Sequence, residues 1–310
     1  MMNRRAFLGS GVGLGAAALA LPAVAQAPAG ADWRQRFPEL VFAIVPAENA
    51  GTVNDRFAPF VAYLSRELGV RVTLRIANDY AAVIEGQRVG NIHIGMHGPA
   101  SFARALMVGA QITAVVMDVN ADGSTGYHSV FYVRSNTPFQ RLEDLRGRAL
   151  GLVDPNSTSG NNVPLFEMNR MGINPEQFFS RVVNTGSHQN AIIALQQGTV
   201  DVATNWWNNE RESNLTRMVS RGMARAEDFR IIHRSAEIVN SPTAVLSALG
   251  PEAIALIRTV MVEMPRRDAA AFQAVAGNPP TLSGFAQVSN EAYNTVIELN
   301  RFVDNLRRRT

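Results

Sequence analysis

Short apolar runs alternate with amphipathic helical stretches along this chain. The alternation halts at one polar break and then starts again. Residues 41–46 (VFAIVP) form an apolar run closed by proline, which reads as a buried strand. Residues 55–68 place Phe57, Phe60, Val61, Leu64 and Leu68 on one helical face, and Gly69 supplies the stop. Strands at 70–76 and 92–96 alternate with helices at 81–87 and 100–107, and an apolar run at 112–119 follows. The break is ADGSTG at 121–126. Beyond it, strands at 129–134, 149–153, 181–184 and 200–203 alternate with helices at 164–171 and 189–197. The chain then ends in helical segments at 251–264, 266–274 and 291–306. Strand–helix–strand repetition is the pattern of an α/β layer with a mainly parallel sheet. Two such units in series predict two lobes with a cleft between them, the arrangement of a hinged clamp.

The first 27 residues stand apart. Asn3-Arg4-Arg5 opens a twin-arginine start, residues 9–21 are apolar and rich in Gly and Ala, and Ala23-Val24-Ala25 offers a small-x-small cleavage site. Residues 1–27 therefore read as a cleaved signal peptide of the twin-arginine type, which places the mature chain in the periplasm. The chain has no cysteine, so stability must come from the core alone. It also has no lysine; every basic residue is arginine. The formal charge of +3 falls to about +1 once Arg4 and Arg5 leave. The arginines are interleaved with acids rather than gathered on a stripe, which argues against a nucleic-acid partner. The cluster Arg307-Arg308-Arg309 reads as a solvated tail.

The segment richest in chemistry is Asp154-Pro155-Asn156-Ser157-Thr158-Ser159-Gly160, which follows a strand and leads into a helix with Pro164 near its start. Ser157, Thr158 and Ser159 present three hydroxyls in a row. Gly160 permits close backbone approach, and the first turn of the next helix has free N–H groups and a positive dipole end. Together these make an anion site from neutral donors. A second loop, Gly186-Ser187-His188-Gln189, also joins a strand to a helix. His188 can donate from its ring nitrogens there. Ligands gather at the carboxyl ends of strands in such sheets. In the first unit, Asp79-Tyr80 occupies a similar place, and Tyr127 ends the polar break.

At these residues the chain resembles the phosphonate-binding proteins of bacterial ABC uptake systems, a group within the type II periplasmic binding fold. The matching segments are NDYAAVIEG (78–86), ADGSTGYHSV (121–130), DPNSTSGNNVP (154–164), TGSHQNAIIAL (185–195) and VDVATN (200–205). The resemblance implies that Ser157, Thr158 and Ser159 hold the phosphonate, with His188, Tyr80 and Tyr127 around it. It implies two chain crossings, with lobe 1 formed by residues 32–122 plus 236–306 and lobe 2 by 123–235. It implies a monomer that captures a small phosphorus oxyanion by closure and delivers it to an ABC permease, with no cofactor and no metal. Aminophosphonate-binding members place two carboxylates around the ligand's ammonium. Here a gapless match puts Asn208 at the first position, or Glu210 if Trp206-Trp207 is an insertion, and Ser241 at the second. Asp79, Glu48 and Glu210 are the acids available as substitutes. Trp206 and Trp207 fit either a cavity wall or the lobe core.

Two readings keep the fold and change the role: a receptor for phosphate or phosphite, and a receptor that presents its ligand to a sensor kinase. A third is an exported hydrolase with His188 as base and Asp201 as its orienter. No G-x-S-x-G elbow is present, and His93-x-x-x-His97 lacks the glutamate of a zinc helix.

Overall fold

The computed structural model describes residues 32–308; the signal-peptide segment lies outside them. The first lobe is built on a six-stranded sheet. Its strands are β1 (Glu39–Ile44), β2 (Arg71–Ile76), β3 (Ile94–Met96) and β4 (Ile112–Asn120), joined late in the chain by β12 (Pro242–Leu246) and β13 (Leu282–Gln287). The second lobe holds β5 (Gly126–Arg134), β6 (Ala149–Leu152), β7 (Arg181–Asn184), β8 (Val202–Asn209), β9 (Glu212–Ser213), β10 (Phe229–Arg234) and β11 (Ile238–Val239). The strand orders are β13-β4-β12-β3-β1-β2 and β10-β5-β8-β6-β7, with β11 on β5 and β9 on β8.

The expected two-lobe α/β architecture is present, but each sheet is mixed. β1 pairs in parallel with β2 and β3, and β6 with β7 and β8. β12 runs antiparallel between β3 and β4, and β5 runs antiparallel between β8 and β10. Two of the antiparallel strands, β5 and β12, are the first after a crossing, where the chain enters a sheet from the other lobe instead of from a helix on the same one. Local periodicity does not register that reversal. The strand β13 escaped the sequence pattern as well. Ser283 and Gly284 interrupt its apolar run, and it pairs only with β4, at the sheet edge.

Helix Ala50–Leu68 shows how one element is specified. Asn49 caps it by accepting the Thr52 N–H at 3.0 Å. Phe57, Phe60 and Leu64 are fully buried, the two rings against Phe42 of β1, and Gly69 ends the helix at φ 69°. The cap sets the start several residues before the apolar stripe begins. Phe42, Phe57 and Phe60 form a cluster of rings 5.2–6.2 Å apart at the centre of the first core. No helix among the described residues is long and apolar enough to cross a membrane.

The chain changes sheets between β4 and β5, and again between β11 and β12. Two asparagines tie these crossings together. The Asn120 side-chain amide donates to Gly126 O at 2.7 Å and to Ser124 Oγ at 2.9 Å. Asn240 donates to Asn120 Oδ1 at 2.9 Å and to Asp118 O at 2.9 Å. The Tyr293 hydroxyl closes the knot on Asn240 O at 3.0 Å.

Helix Asn294–Arg307 does not belong to the first lobe alone. It packs on helix Pro99–Met107 of one lobe and helix Val163–Arg170 of the other. Arg104 and Asp304 form a paired bond at 2.6 and 2.7 Å. Asn300 donates to Ala100 O at 2.9 Å and accepts from Asn162 at 3.0 Å. Replacing Asn120 with Ala removes one of the two acceptors of the Asn240 amide and the side-chain donor to Gly126 O in a buried site. Urea unfolding is expected to show a loss of about 1–3 kcal/mol, and an unchanged midpoint would show that the knot carries no weight.

Candidate functional site

A cavity of about 160 Å³, lined by both polar and apolar side chains, lies where the two lobes meet. Space for a single water needs roughly a tenth of that. One end of the cavity is the loop after β6. Ser157 caps a single π-helical turn, Thr158–Asn162, and accepts the Gly160 N–H at 3.1 Å. Ser129 Oγ donates to Ser159 O at 2.6 Å and Thr204 Oγ1 to Gly160 O at 2.7 Å, fastening the loop to β5 and β8. Gly160 serves a different purpose from the expected one. A Cβ there would meet Val153 at 2.3 Å and the Ser157 hydroxyl at 2.8 Å, so the glycine lets the loop fold onto its own strand.

The first lobe brings its own partners to the same end. Tyr80 opens helix Tyr80–Arg88, and its N–H reaches Asp154 Oδ2 across the lobes at 3.4 Å. Helix Pro99–Met107 presents its first turn there, and the Ala100 N–H donates to Thr158 Oγ1 at 2.8 Å. That bond leaves the Thr158 hydroxyl proton free. The Tyr127 hydroxyl lies beside the Thr158 and Ser159 hydroxyls, and the Tyr80 hydroxyl beside that of Ser157. Burial pushes the Tyr127 hydroxyl up to about 12 and raises Tyr80 as well. Both therefore remain protonated donors.

His188 is neutral, and its tautomer follows from its neighbours. The Asn205 amide donates to His188 O at 2.9 Å, and Asn205 Oδ1 accepts the Trp206 N–H at 3.0 Å. Asn205 therefore turns its oxygen toward His188 Nδ1, 3.0 Å away, and Nδ1 carries the proton. Nε2 is then an acceptor, and it takes the Ser157 hydroxyl proton at 3.2 Å. Burial pushes the imidazole down to about 4, against the pull of the Asn205 bond. The expected role as a donor is thus replaced by another: His188 braces Ser157. Ser157–His188–Asn205 has the connectivity of a nucleophile–base–orienter relay. Burial opposes proton uptake by the imidazole, however, and the asparagine offers no charge to stabilise an imidazolium. Asp201, the orienter considered from sequence, instead accepts the Ala149 N–H and pairs with Arg134 at 3.5 Å.

The cavity also carries charge that sequence reasoning missed. Asp118 from β4, Glu212 from β9 and Arg217 from helix Asn214–Ser220 line it beside Asn120, Asn240 and Thr281. Arg217 is committed elsewhere: it donates to Glu48 at 3.2 Å, bonds Thr281 Oγ1, and stacks over Trp206 at 4.8 Å. Glu48 is buried and also pairs with Arg221 at 2.8 Å and with Arg56. Burial works to raise the Glu48 carboxyl, but Arg56, Arg217 and Arg221 outweigh it and hold it at about 2. Glu48 and Arg56 lie in the first lobe, Arg217 and Arg221 in the second, so this cluster clasps the lobes together.

Of the residues singled out from sequence, Tyr80, Tyr127, Ser157, Thr158, Ser159, His188, Asn208 and Ser241 line the cavity. Asp79 lies outside it and caps helix Tyr80–Arg88 through the Ala82 N–H at 2.7 Å. Glu210 lies outside it too, exposed at the turn between β8 and β9. Strand alternation settles the tryptophans: Trp206 faces the cavity, and Trp207 is buried in the second core. Asp118 left one trace in the sequence, as a lone carboxylate in the apolar run ITAVVMDV. Glu212 and Arg217 left none, because a turn and a helix face set their direction.

Two α/β lobes with a cavity between them, lined from both, define a ligand-capturing protein of the two-lobe periplasmic binding class. Residues 42–293 match the family described as ABC transporter, phosphonate, periplasmic substrate-binding protein, and the chain belongs to that family. The phosphonates-binding periplasmic protein of Escherichia coli K12 is 33% identical over 223 residues, covering 69% of this chain and 62% of that protein. The phosphate-import protein PhnD of Mycolicibacterium smegmatis is 28% identical over 80% of each chain. Among solved structures, a binding component of a Pseudomonas aeruginosa ABC phosphonate transporter superposes with a TM-score of 0.77 at 25% identity, over 87% of each chain. Prochlorococcus marinus PhnD1 in complex with methylphosphonate gives 0.75 at 18% identity, over 86% of this chain and 98% of that one, a likeness of fold.

Glu48→Gln leaves three guanidinium groups facing one another, and a stability loss on the order of 3 kcal/mol is expected at neutral pH. The Glu48 pKa is depressed from 4.5 to about 2. Its contribution is therefore complete above about 4.5 and is lost as pH falls toward 2. Thermal melts of both proteins across that window should converge, and a gap that stays constant would show that the clasp is not electrostatic.

Proposed function

We propose that the protein is the solute-receiving component of an ABC importer, and that it captures a phosphonate or closely related phosphorus oxyanion. The observation that carries this reading is the cavity end formed by Tyr80, Tyr127, Ser157, Thr158 and Ser159 at two converging helix starts. It offers hydroxyl and N–H donors from several directions and no basic side chain. A tetrahedral oxyanion presents acceptors in matching directions, and preorganised dipoles stabilise it without a buried counter-charge to desolvate. Membership of a family of periplasmic substrate-binding proteins supports export and delivery to a permease in the cytoplasmic membrane.

Capture works through differential contact. Thr158 already bridges the lobes through Ala100, and a ligand held by Thr158, Tyr127 and Tyr80 adds bonds that exist only when the lobes are together. Such bonds shift the population toward closure. His188 does not touch the anion in this scheme; it holds Ser157 and thereby the loop.

Isothermal titration with phosphate, phosphite and methylphosphonate provides the test. At least one is expected to bind, and Thr158→Ala is expected to weaken that binding roughly tenfold or more, since a hydrogen bond to a charged group contributes about 1.5–3 kcal/mol. Equal affinity in the variant removes the loop from the site. A preference for phosphate over every phosphonate would favour the role carried in the name of the Mycolicibacterium relative.

A further inference from the structure

Three polar side chains buried in the first lobe, Gln87, His97 and Ser101, take no part in the scheme above. Such groups cost stability unless they are hydrogen-bonded, and these are joined in a line. Gly95 of β3 makes room for the first of them: a Cβ there would meet the Gln87 amide group at 2.8–2.9 Å. The Gln87 amide nitrogen donates to Ala244 O of β12 at 2.9 Å, which turns the amide oxygen toward His97 Nε2, 2.7 Å away. Nε2 therefore carries the proton, and Nδ1 is an acceptor. Ser101 Oγ lies 3.2 Å from Nδ1 and 2.9 Å from Gly98 O. Gly98 O already accepts the Phe102 N–H at 3.0 Å, whereas Nδ1 has no other donor among the described residues. Only a hydroxyl proton directed at Nδ1 satisfies both. The Ser101 oxygen in turn accepts the Gly98 N–H at 3.1 Å, closing the start of helix Pro99–Met107. Burial pushes the His97 imidazole down to about 3, so it stays neutral.

The second lobe contains a line of the same kind, in which Asn205 fixes the His188 tautomer and His188 holds Ser157. Each lobe thus sets a side-chain amide, a neutral imidazole and a serine in series behind the segment it contributes to the cavity. The two segments meet where the Ala100 N–H donates to Thr158 Oγ1 at 2.8 Å. Ala100 precedes Ser101 in the chain, and Thr158 follows Ser157. We infer that His97 is a positioning residue for anion capture: through Ser101 it fixes residues 98–100 against Thr158, as His188 fixes Ser157 from the other side. The inference rests on the oxyanion reading above and gives its first-lobe half a support. His97 borders the cavity, but both its ring nitrogens are engaged, so it does not address the ligand itself.

Two measurements test this. Nitrogen-15 NMR of histidine-labelled protein should show opposite tautomers, with the proton on Nε2 in His97 and on Nδ1 in His188. Neither ring should gain charge as the pH falls from about 8 to about 6, through the range where a free imidazole titrates. A proton on His97 Nδ1 overturns the inference. The second measurement is titration calorimetry with phosphate, phosphite and methylphosphonate. For whichever of these binds, Ser101→Ala is expected to weaken affinity roughly threefold to tenfold, the effect of one hydrogen bond, and His97→Leu at least as much. The double variant should bind no more weakly than His97→Leu, because the two residues act in series. His97→Asn keeps an acceptor near the Nδ1 position and should recover part of the loss. A structural role alone would lower the melting temperature and leave the affinity of the folded protein unchanged. Wild-type affinity in Ser101→Ala therefore overturns the inference, as do additive losses in the double variant, and both leave the oxyanion reading in place. Should His97→Leu fail to fold, Ser101→Ala and the tautomer still decide. A wild-type protein that binds none of the three anions overturns the oxyanion reading, and the positioning role falls with it.

Discussion

The bond from the Ala100 N–H to Thr158 Oγ1 is the point on which the cavity depends. It joins the first turn of one lobe's helix to the loop of the other, so both dipole ends face the same small space. Everything around the loop serves to hold that registry. Ser129 and Thr204 pin its carbonyls, His188 holds the Ser157 hydroxyl, and Asn300 grips Asn162 from behind. Four separate elements immobilise a segment of a few residues. The entropy of ordering the loop is therefore met by the fold before any ligand arrives, which is what preorganisation means in energetic terms.

The cavity is electrically asymmetric. At the loop end the donors are neutral, the histidine included, and buried tyrosines keep their protons. Asp118, Glu212 and Arg217 also line the cavity, and Arg217 ties this wall to Glu48, which lies outside the cavity and is hydrogen-bonded by Arg56, Arg217 and Arg221. This division separates two tasks. Clasping the lobes is assigned to Glu48 and its arginines, while Asp118 and Glu212 remain facing the interior without such partners.

Much of this was legible in the sequence, for identifiable reasons. The strand–helix alternation announced two α/β lobes because each element buries one face and displays it as a period. The loop 154–164 was legible because anion binding by backbone and hydroxyls uses contiguous residues. Features built from distant residues were not legible. The mixed sheets arise from crossings that local pattern does not encode, and β13 is an edge strand with a weak apolar face. The carboxylates lining the cavity come from β4 and β9, some ninety residues apart in sequence, and no spacing rule connects them. His188 was found by its position after a strand, but its protonation required knowledge of Asn205, seventeen residues on, and of how that amide is itself held.

Helix Asn294–Arg307 has a mechanical consequence. It lies along both lobes like the spine of a book, gripping one cover through Ala100 and Arg104 and the other through Asn162. Swinging the covers apart at right angles to the spine pulls Asn300 from one of its two partners.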